Sequence, residues 1–203
     1  MINLKDELEN ARSENRAVFL KNYIDVDVDW NLIVNEIDES LSDKEFKDLI
    51  GKYVWKQENA LIVRDLFYMM LSNPFPTKIP QVNKVAHEFA KAFWDIDKYT
   101  LPRVCYFVNL TSKNTNIITS GPSTPKHCDE YDAIFIQLVS TTDWNIYTGK
   151  DSETPIQSET VSPGDIIIIP KGVYHEVDII GPRAGVQLTY PDNWRDFSFK
   201  TNM

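Results

Sequence analysis

Cysteine is nearly missing from this chain: there are two in 203 residues, Cys105 and Cys128. Two thiols cannot staple a protein of this size, so a disulfide scaffold is excluded. Basic charge is short as well. Lys and Arg total 21 against 30 Asp and Glu, a net charge of −9, with a pI near 4.8. No basic stripe is available for general nucleic-acid binding or for an anionic membrane surface. Long apolar runs are missing too. The longest, Ala60 to Leu71, is broken by Arg64 and Asp65, and a membrane helix needs about 20 residues. The opening MINLKDELEN has neither the basic nor the apolar region of a secretory signal. The expectation is a soluble, cytoplasmic protein without a membrane segment.

Glycine and histidine are scarce and unevenly placed. Six of the seven glycines (Gly121, Gly149, Gly164, Gly172, Gly181 and Gly185) follow residue 120, as do two of the three histidines, His127 and His175. What is present suffices for a folded core: 42% hydrophobic and 25% charged residues argue against disorder. At about 150 residues per domain, the length suggests one domain, or one with a sizeable extension.

Residues 1–100 read as a helical layer. Before Pro74 there is no proline and one glycine, Gly51. Ser42 to Glu45 forms a capping box, and Gln57 to Leu71 is apolar nearly all round, as in a buried helix. Pro74, Pro76 and Pro80 break the chain. Val82, Val85, Ala86, Phe89, Ala90 and Phe93 then form an amphipathic stripe with His87 off it, facing solvent. From residue 101 the period changes. Short β-branched or aromatic runs at 103–109, 115–119, 133–139, 144–148, 157–161, 165–169, 174–180 and 185–190 are separated mostly by turn residues. That density is the signature of a compact barrel or jelly roll. The fold expected is α+β, mainly β: a barrel over 101–203 with the helical residues 1–100 packed on it.

Three residues stand out chemically. In a strand, residues i and i+2 project from one face, so His127 and Asp129 would present an imidazole and a carboxylate together, with Cys128 turned away as a buried thiol. His175 comes 48 residues after His127, behind Pro163-Gly-Asp-Ile-Ile-Ile-Ile-Pro-Lys-Gly-Val-Tyr174, where Gly and Pro can bracket a buried strand. Two imidazoles and a carboxylate on one side of a metal leave positions open for substrate and oxygen, as in non-haem Fe(II) oxygenases. Taken alone, a His-x-Asp is also compatible with unrelated barrel residues. No phosphate-binding glycine loop, Ser/His/Asp order or zinc-type cysteine spacing accompanies it.

The motifs resemble the cupin superfamily, and within it the Fe(II)/2-oxoglutarate dioxygenases. Gly121, five residues, then His127 is similar to the opening of the first cupin motif, with His-x-Asp in place of His-x-His. Gly164, five residues, Pro170-Lys-Gly172, two residues, then His175 is similar to the second, with Ile179 where an Asn often ends it. His127-Cys-Asp129 followed by Phe135-Ile-Gln137 and Trp144 also resembles Jumonji-type oxygenases. The likeness covers about residues 101–192. It implies a double-stranded β-helix with Fe(II) held by His127, Asp129 and His175, and with 2-oxoglutarate and O2 as co-substrates. Zn, Mn or Ni would also suit that donor set.

2-Oxoglutarate requires a cation for its distal carboxylate. Jumonji-type enzymes commonly supply a lysine about 13 residues after the aspartate, but this chain has Thr142 there. Arg183, eight residues after His175, is similar to the arginine that opens the corresponding strand in prolyl-hydroxylase-type enzymes. Strand parity puts Arg183, Gly185, Gln187 and Thr189 on one face, although Pro182 leaves open a loop-end arginine paired at the surface. Tyr106 is a second candidate partner for the same carboxylate, or a packing residue, and Thr142 a third. Gln137 and Trp144 are candidates for the pocket wall. The expected product chemistry is oxidative decarboxylation of 2-oxoglutarate coupled to hydroxylation of a protein side chain or small molecule, with a nucleic-acid polymer disfavoured. Two rivals remain: a metal-dependent cupin enzyme that does not use 2-oxoglutarate, and an inactive cupin-like binding protein. Residues 1–100 could shape the substrate entrance, support the barrel or form a homodimer interface.

Overall fold

The computed structural model describes residues 4–33, 35, 77–80, 103–109, 124–179 and 182–190, with backbone alone for 77–80, 103–109, 179, 189 and 190. The capping box, the helix expected over 57–71, the stripe at 82–93 with His87, and the strand expected at 115–119 lie outside these residues.

The described chain begins with helix α1 (Leu4–Glu14). Asp6 and Glu7 in its first turn and Arg12 in its last match the helix dipole. Ten strands follow: β1 (Val18–Leu20), β2 (Thr77–Pro80), β3 (Arg103–Asn109), β4 (Thr124–His127), β5 (Asp132–Val139), β6 (Thr142–Tyr147), β7 (Gln157–Val161), β8 (Ile166–Ile169), β9 (Tyr174–Ile179) and β10 (Arg183–Tyr190). They form a six-stranded sheet in the order β1-β8-β5-β10-β3-β2 and a four-stranded sheet in the order β4-β9-β6-β7. Every described pairing is antiparallel. From β3 onward the chain passes back and forth between the sheets, which is the winding of a double-stranded β-helix.

Two strands correct the reading of residues 1–100 as helical. β1 pairs with β8, Val18 opposite Ile168 and Leu20 opposite Ile166. β2 pairs with β3 at the outer edge of the six-stranded sheet. Three apolar residues are too few to show a period, so β1 has no sequence signature. Pro80 is tolerated because β2 is an edge strand, where no ladder bond is lost on its open side.

The core lies between the sheets. Phe135, Trp144, Ile146, Val161, Ile167, Ile169, Val173 and Val177 cluster there with Ala17. The four isoleucines of β8 are all buried, because α1 packs on the strand's other side with Leu8 and Ala11 inaccessible. β6 alternates instead: Thr142, Trp144 and Ile146 are buried while Asp143, Asn145 and Tyr147 are half-buried.

The turn at Pro163-Gly164-Asp165 docks the N-terminal segment. Gly164 has φ +88°, and any Cβ there would collide with the Ile24 carbonyl oxygen, so only glycine fits. Its own carbonyl accepts from the Tyr23 and Ile24 amides at 3.0 and 3.1 Å. Asp165 accepts from the Asn22 amide at 2.8 Å, the Ser162 amide at 2.8 Å and the Lys21 ammonium at 2.9 Å. Burial alone would raise its pKa, but these donors outweigh it and hold the carboxyl below its ordinary 3.8.

Candidate metal centre

β4 and β9 are neighbours, and His127 stands directly opposite His175 in their ladder, past an irregularity that follows Thr124. The two imidazole centroids are 4.3 Å apart and tilted by 54°. Asp129 lies beyond the end of β4. Its carboxylate therefore joins the histidines from a turn and not, as expected, from the same face of a strand. The Gly172 amide donates to its carbonyl oxygen at 2.9 Å, tying it to the loop that leads into His175. One ligand atom from each of His127, Asp129 and His175 lies within 4.8 Å of the others, and His127 Nε2 is 4.0 Å from Asp129 Oδ1.

The ring tautomers suit a metal. His127 Nδ1 is 2.8 Å from the Pro125 carbonyl oxygen, and His175 Nδ1 is 3.1 Å from that of Val173. A carbonyl can only accept, so each Nδ1 carries a proton, and Nε2 is the ring nitrogen left to face a metal. Two imidazoles and a carboxylate within one small volume fit a divalent first-row metal.

The loop before His175 is bolted to the segment after Asp129. The Lys171 amide donates to Asp132 Oδ1 at 2.8 Å, and Arg12 of α1 pairs with Asp132 Oδ2 at 2.6 Å. Cys128 is partly exposed, which corrects its reading as a buried thiol. It sits outside the strand and bonds the Tyr174 hydroxyl, an interaction that raises the tyrosine pKa.

A cavity of about 30 Å³ opens beside the three residues. Thr124, Trp144 and Val177 line it from the four-stranded sheet, and Ala133, Phe135, Ile169 and Gln187 from the six-stranded one. The Thr124 hydroxyl is buried with no hydrogen-bond partner among the described residues. Strand parity already pointed to Gln187. Thr124, Phe135 and Ile169 had no signal of their own, because their place depends on which strands become neighbours.

Arg183 is fully buried, not a surface residue at a loop end. Its guanidinium carbon lies 5.6 Å from the centre of the Phe135 ring. Burial pulls its pKa down to about 9, which leaves it cationic at neutral pH. It does not line the cavity; Phe135 does, and so touches both. Gly185 seats that ring, since a Cβ there would lie 2.5 Å from Phe135 Cζ and 2.7 Å from the Ile136 carbonyl oxygen.

Tyr106 stands opposite Val186 in the β10–β3 ladder, while Arg183 stands opposite Asn109. The Tyr106 side chain is outside the described residues. Thr142 and Gln137 are buried and neither lines the cavity. Their polar groups face each other and Trp144, with Thr142 Oγ1 accepting from the indole at 2.9 Å. Thr142 thus ties Gln137 to Trp144 within the protein interior.

The fold and its His-x-Asp…His group define a double-stranded β-helix protein with a candidate metal centre. The family model described as "JmjC domain" matches residues 86–191, more than half of the chain, and the chain belongs to that family. Mouse ribosomal oxygenase 2 is 27% identical over 88 residues, covering 36% of this chain and 19% of the relative. The structure of YcfD, a ribosomal oxygenase from Escherichia coli, superposes with a TM-score of 0.59 at 19% identity, covering 97% of this chain and 53% of that one. The same protein in complex with cobalt and 2-oxoglutarate gives a TM-score of 0.58 at 16% identity, with 97% and 54% covered. The chain thus spans about half the length of YcfD and a fifth of the mouse relative. Among the described residues no helix is long and apolar enough to cross a membrane.

Proposed function

We propose that this chain is an Fe(II)- and 2-oxoglutarate-dependent oxygenase that hydroxylates a protein side chain in the cytoplasm, with His127, Asp129 and His175 as its metal ligands. The observation that carries the reading is the pair of facing histidines, each with Nδ1 at a backbone carbonyl, beside a carboxylate, with one ligand atom of each of the three within 4.8 Å of the others. JmjC family membership supports the activity. Relatives described as ribosomal oxygenases support a protein substrate, and the YcfD complex with cobalt and 2-oxoglutarate supports the co-substrate.

When bound, the iron supplies the oxygen chemistry that couples decarboxylation of 2-oxoglutarate to C–H hydroxylation. The chain's own residues supply geometry. His127, Asp129 and His175 would hold the metal, each through one ligand atom. Arg183, buried against the Phe135 ring that lines the cavity, is the candidate cation for the distal carboxylate of 2-oxoglutarate in place of the lysine absent at Thr142. Ala133, Phe135, Ile169 and Val177 exclude water from the reacting side, while Thr124 and Gln187 offer hydrogen bonds within it.

The test is 2-oxoglutarate binding to the Mn(II)-loaded protein without oxygen, then 2-oxoglutarate consumption with Fe(II), ascorbate and O2. The wild type binds and consumes it. Arg183→Ala weakens binding at least about 10-fold, because a buried charge pair loses one partner. Metal uptake without 2-oxoglutarate binding would replace this reading with a metal-dependent cupin enzyme of another kind. No uptake of Fe, Mn, Zn or Ni would leave a binding protein.

A further inference from the structure

We propose that Trp144 is a positioning residue of the metal centre, held by a hydrogen-bonded relay from the β5–β6 turn so that its indole sets the plane of His175. The inference rests on reading His175 as a metal ligand.

The Nδ1 contact to the Val173 carbonyl oxygen holds one edge of the His175 imidazole. The face of Trp144 restrains its tilt: the rings stack with centroids 5.7 Å apart and planes 23° from parallel. Phe135 packs on Trp144 at 5.4 Å and 52°, so the indole is wedged between two rings.

The relay orients the indole within that wedge. Gln137 Nε2 lies 2.8 Å from the Val139 carbonyl oxygen and 3.0 Å from that of Ser140. Two acceptors identify that end of the amide as nitrogen, and its oxygen therefore faces Thr142. The Thr142 hydroxyl lies 3.5 Å from Gln137 Oε1 and donates to it. The same hydroxyl accepts from Trp144 Nε1–H at 2.9 Å. Direction is consistent at each step, and each member has one role. Gln137 and Thr142 are fully inaccessible and Trp144 is 5% exposed, so water cannot replace a lost partner. The relay starts at a turn where Ser140 adopts φ +62°.

The experiment uses the full chain and Co(II), reading affinity, the visible absorption of bound cobalt, and quenching of tryptophan fluorescence. Thr142→Val keeps the shape and removes the hydroxyl. It should raise the Co(II) Kd about 10-fold and shift the cobalt bands, and Thr142→Ser should restore both. Trp144→Phe keeps an aromatic face without the N–H. It should shift the bands in the same direction and abolish most of the cobalt-dependent quenching, although four other tryptophans remain. If Thr142→Val and Trp144→Phe lower only the melting temperature and leave affinity and spectrum as in the wild type, Trp144 is a packing residue and the inference is overturned. If Thr142→Val does not fold, Trp144→Phe decides by the same two readouts. A wild type that binds no Co(II) overturns the ligand reading first, and this inference with it.

Discussion

The two sheets of the barrel do different work. The six-stranded sheet is dry on both faces through its middle: β5 is buried along nearly its whole length and β8 throughout. The four-stranded sheet has one wet face. There Ser158 donates to Asn145 and Thr160 to Asp143, each at 2.6 Å, and Tyr147 donates to Glu176 at 3.3 Å. All three candidate ligands come from the wet sheet or the turn that leaves it. The ligand strand β4 lies at that sheet's edge, where an irregularity in the ladder is tolerated. The dry sheet contributes one wall of the cavity and the buried cation. Rigidity and chemistry are thus divided between opposing layers.

Substitutions can break that division or sharpen it. The largest effect belongs to the dry sheet. Ile167→Ala removes a fully buried side chain and should cost about 2–5 kcal/mol in denaturant unfolding. A cost near zero would mean that the sheet is not the rigid layer. Gly185→Ala is next, at about 1–3 kcal/mol, because the new methyl meets Phe135 and a backbone oxygen. It should also disturb 2-oxoglutarate binding, since Phe135 is shared by the cavity and Arg183.

Asp165→Asn should cost a similar or smaller amount, about 1–2 kcal/mol, as charge-assisted bonds to the N-terminal segment weaken. Its pH signature separates it from a packing change. The folded pKa lies below 3.8, so the carboxylate's contribution is complete above that value and lost as pH falls through the lowered pKa. Unfolding curves of the wild type and the variant should converge over that acid window. If they stay parallel, the clasp is not electrostatic. The smallest effect belongs to the wet face, where Ser158→Ala should change stability by no more than about 0.5 kcal/mol.

Most strands of the barrel were legible because their runs are short, apolar and punctuated. The run expected at 157–161 coincides with β7, and that at 103–109 with β3. β1 escaped because three residues carry no period. Asp165 was read only as the first residue of the strand run 165–169, since its partners at 21–22 are about 140 positions away in the chain. The triad was legible as residue types and spacing, but the route by which Asp129 joins the histidines was not. The bonds of the Thr142 hydroxyl to Trp144 and Gln137 were hidden for the same reason, since only the packed side chains reveal them.

By itself the sequence determined the alternation of apolar runs and turns, and with it a barrel. It also supplied the pair of motifs in which two of three histidines fall, because local spacing and residue chemistry are properties of the chain. The tertiary structure decided the neighbours: His127 opposite His175, Arg183 behind Phe135, and Trp144 flat against an imidazole. Those contacts join residues dozens of positions apart, and they exist only once two sheets close on each other and strand register puts each side chain on one face.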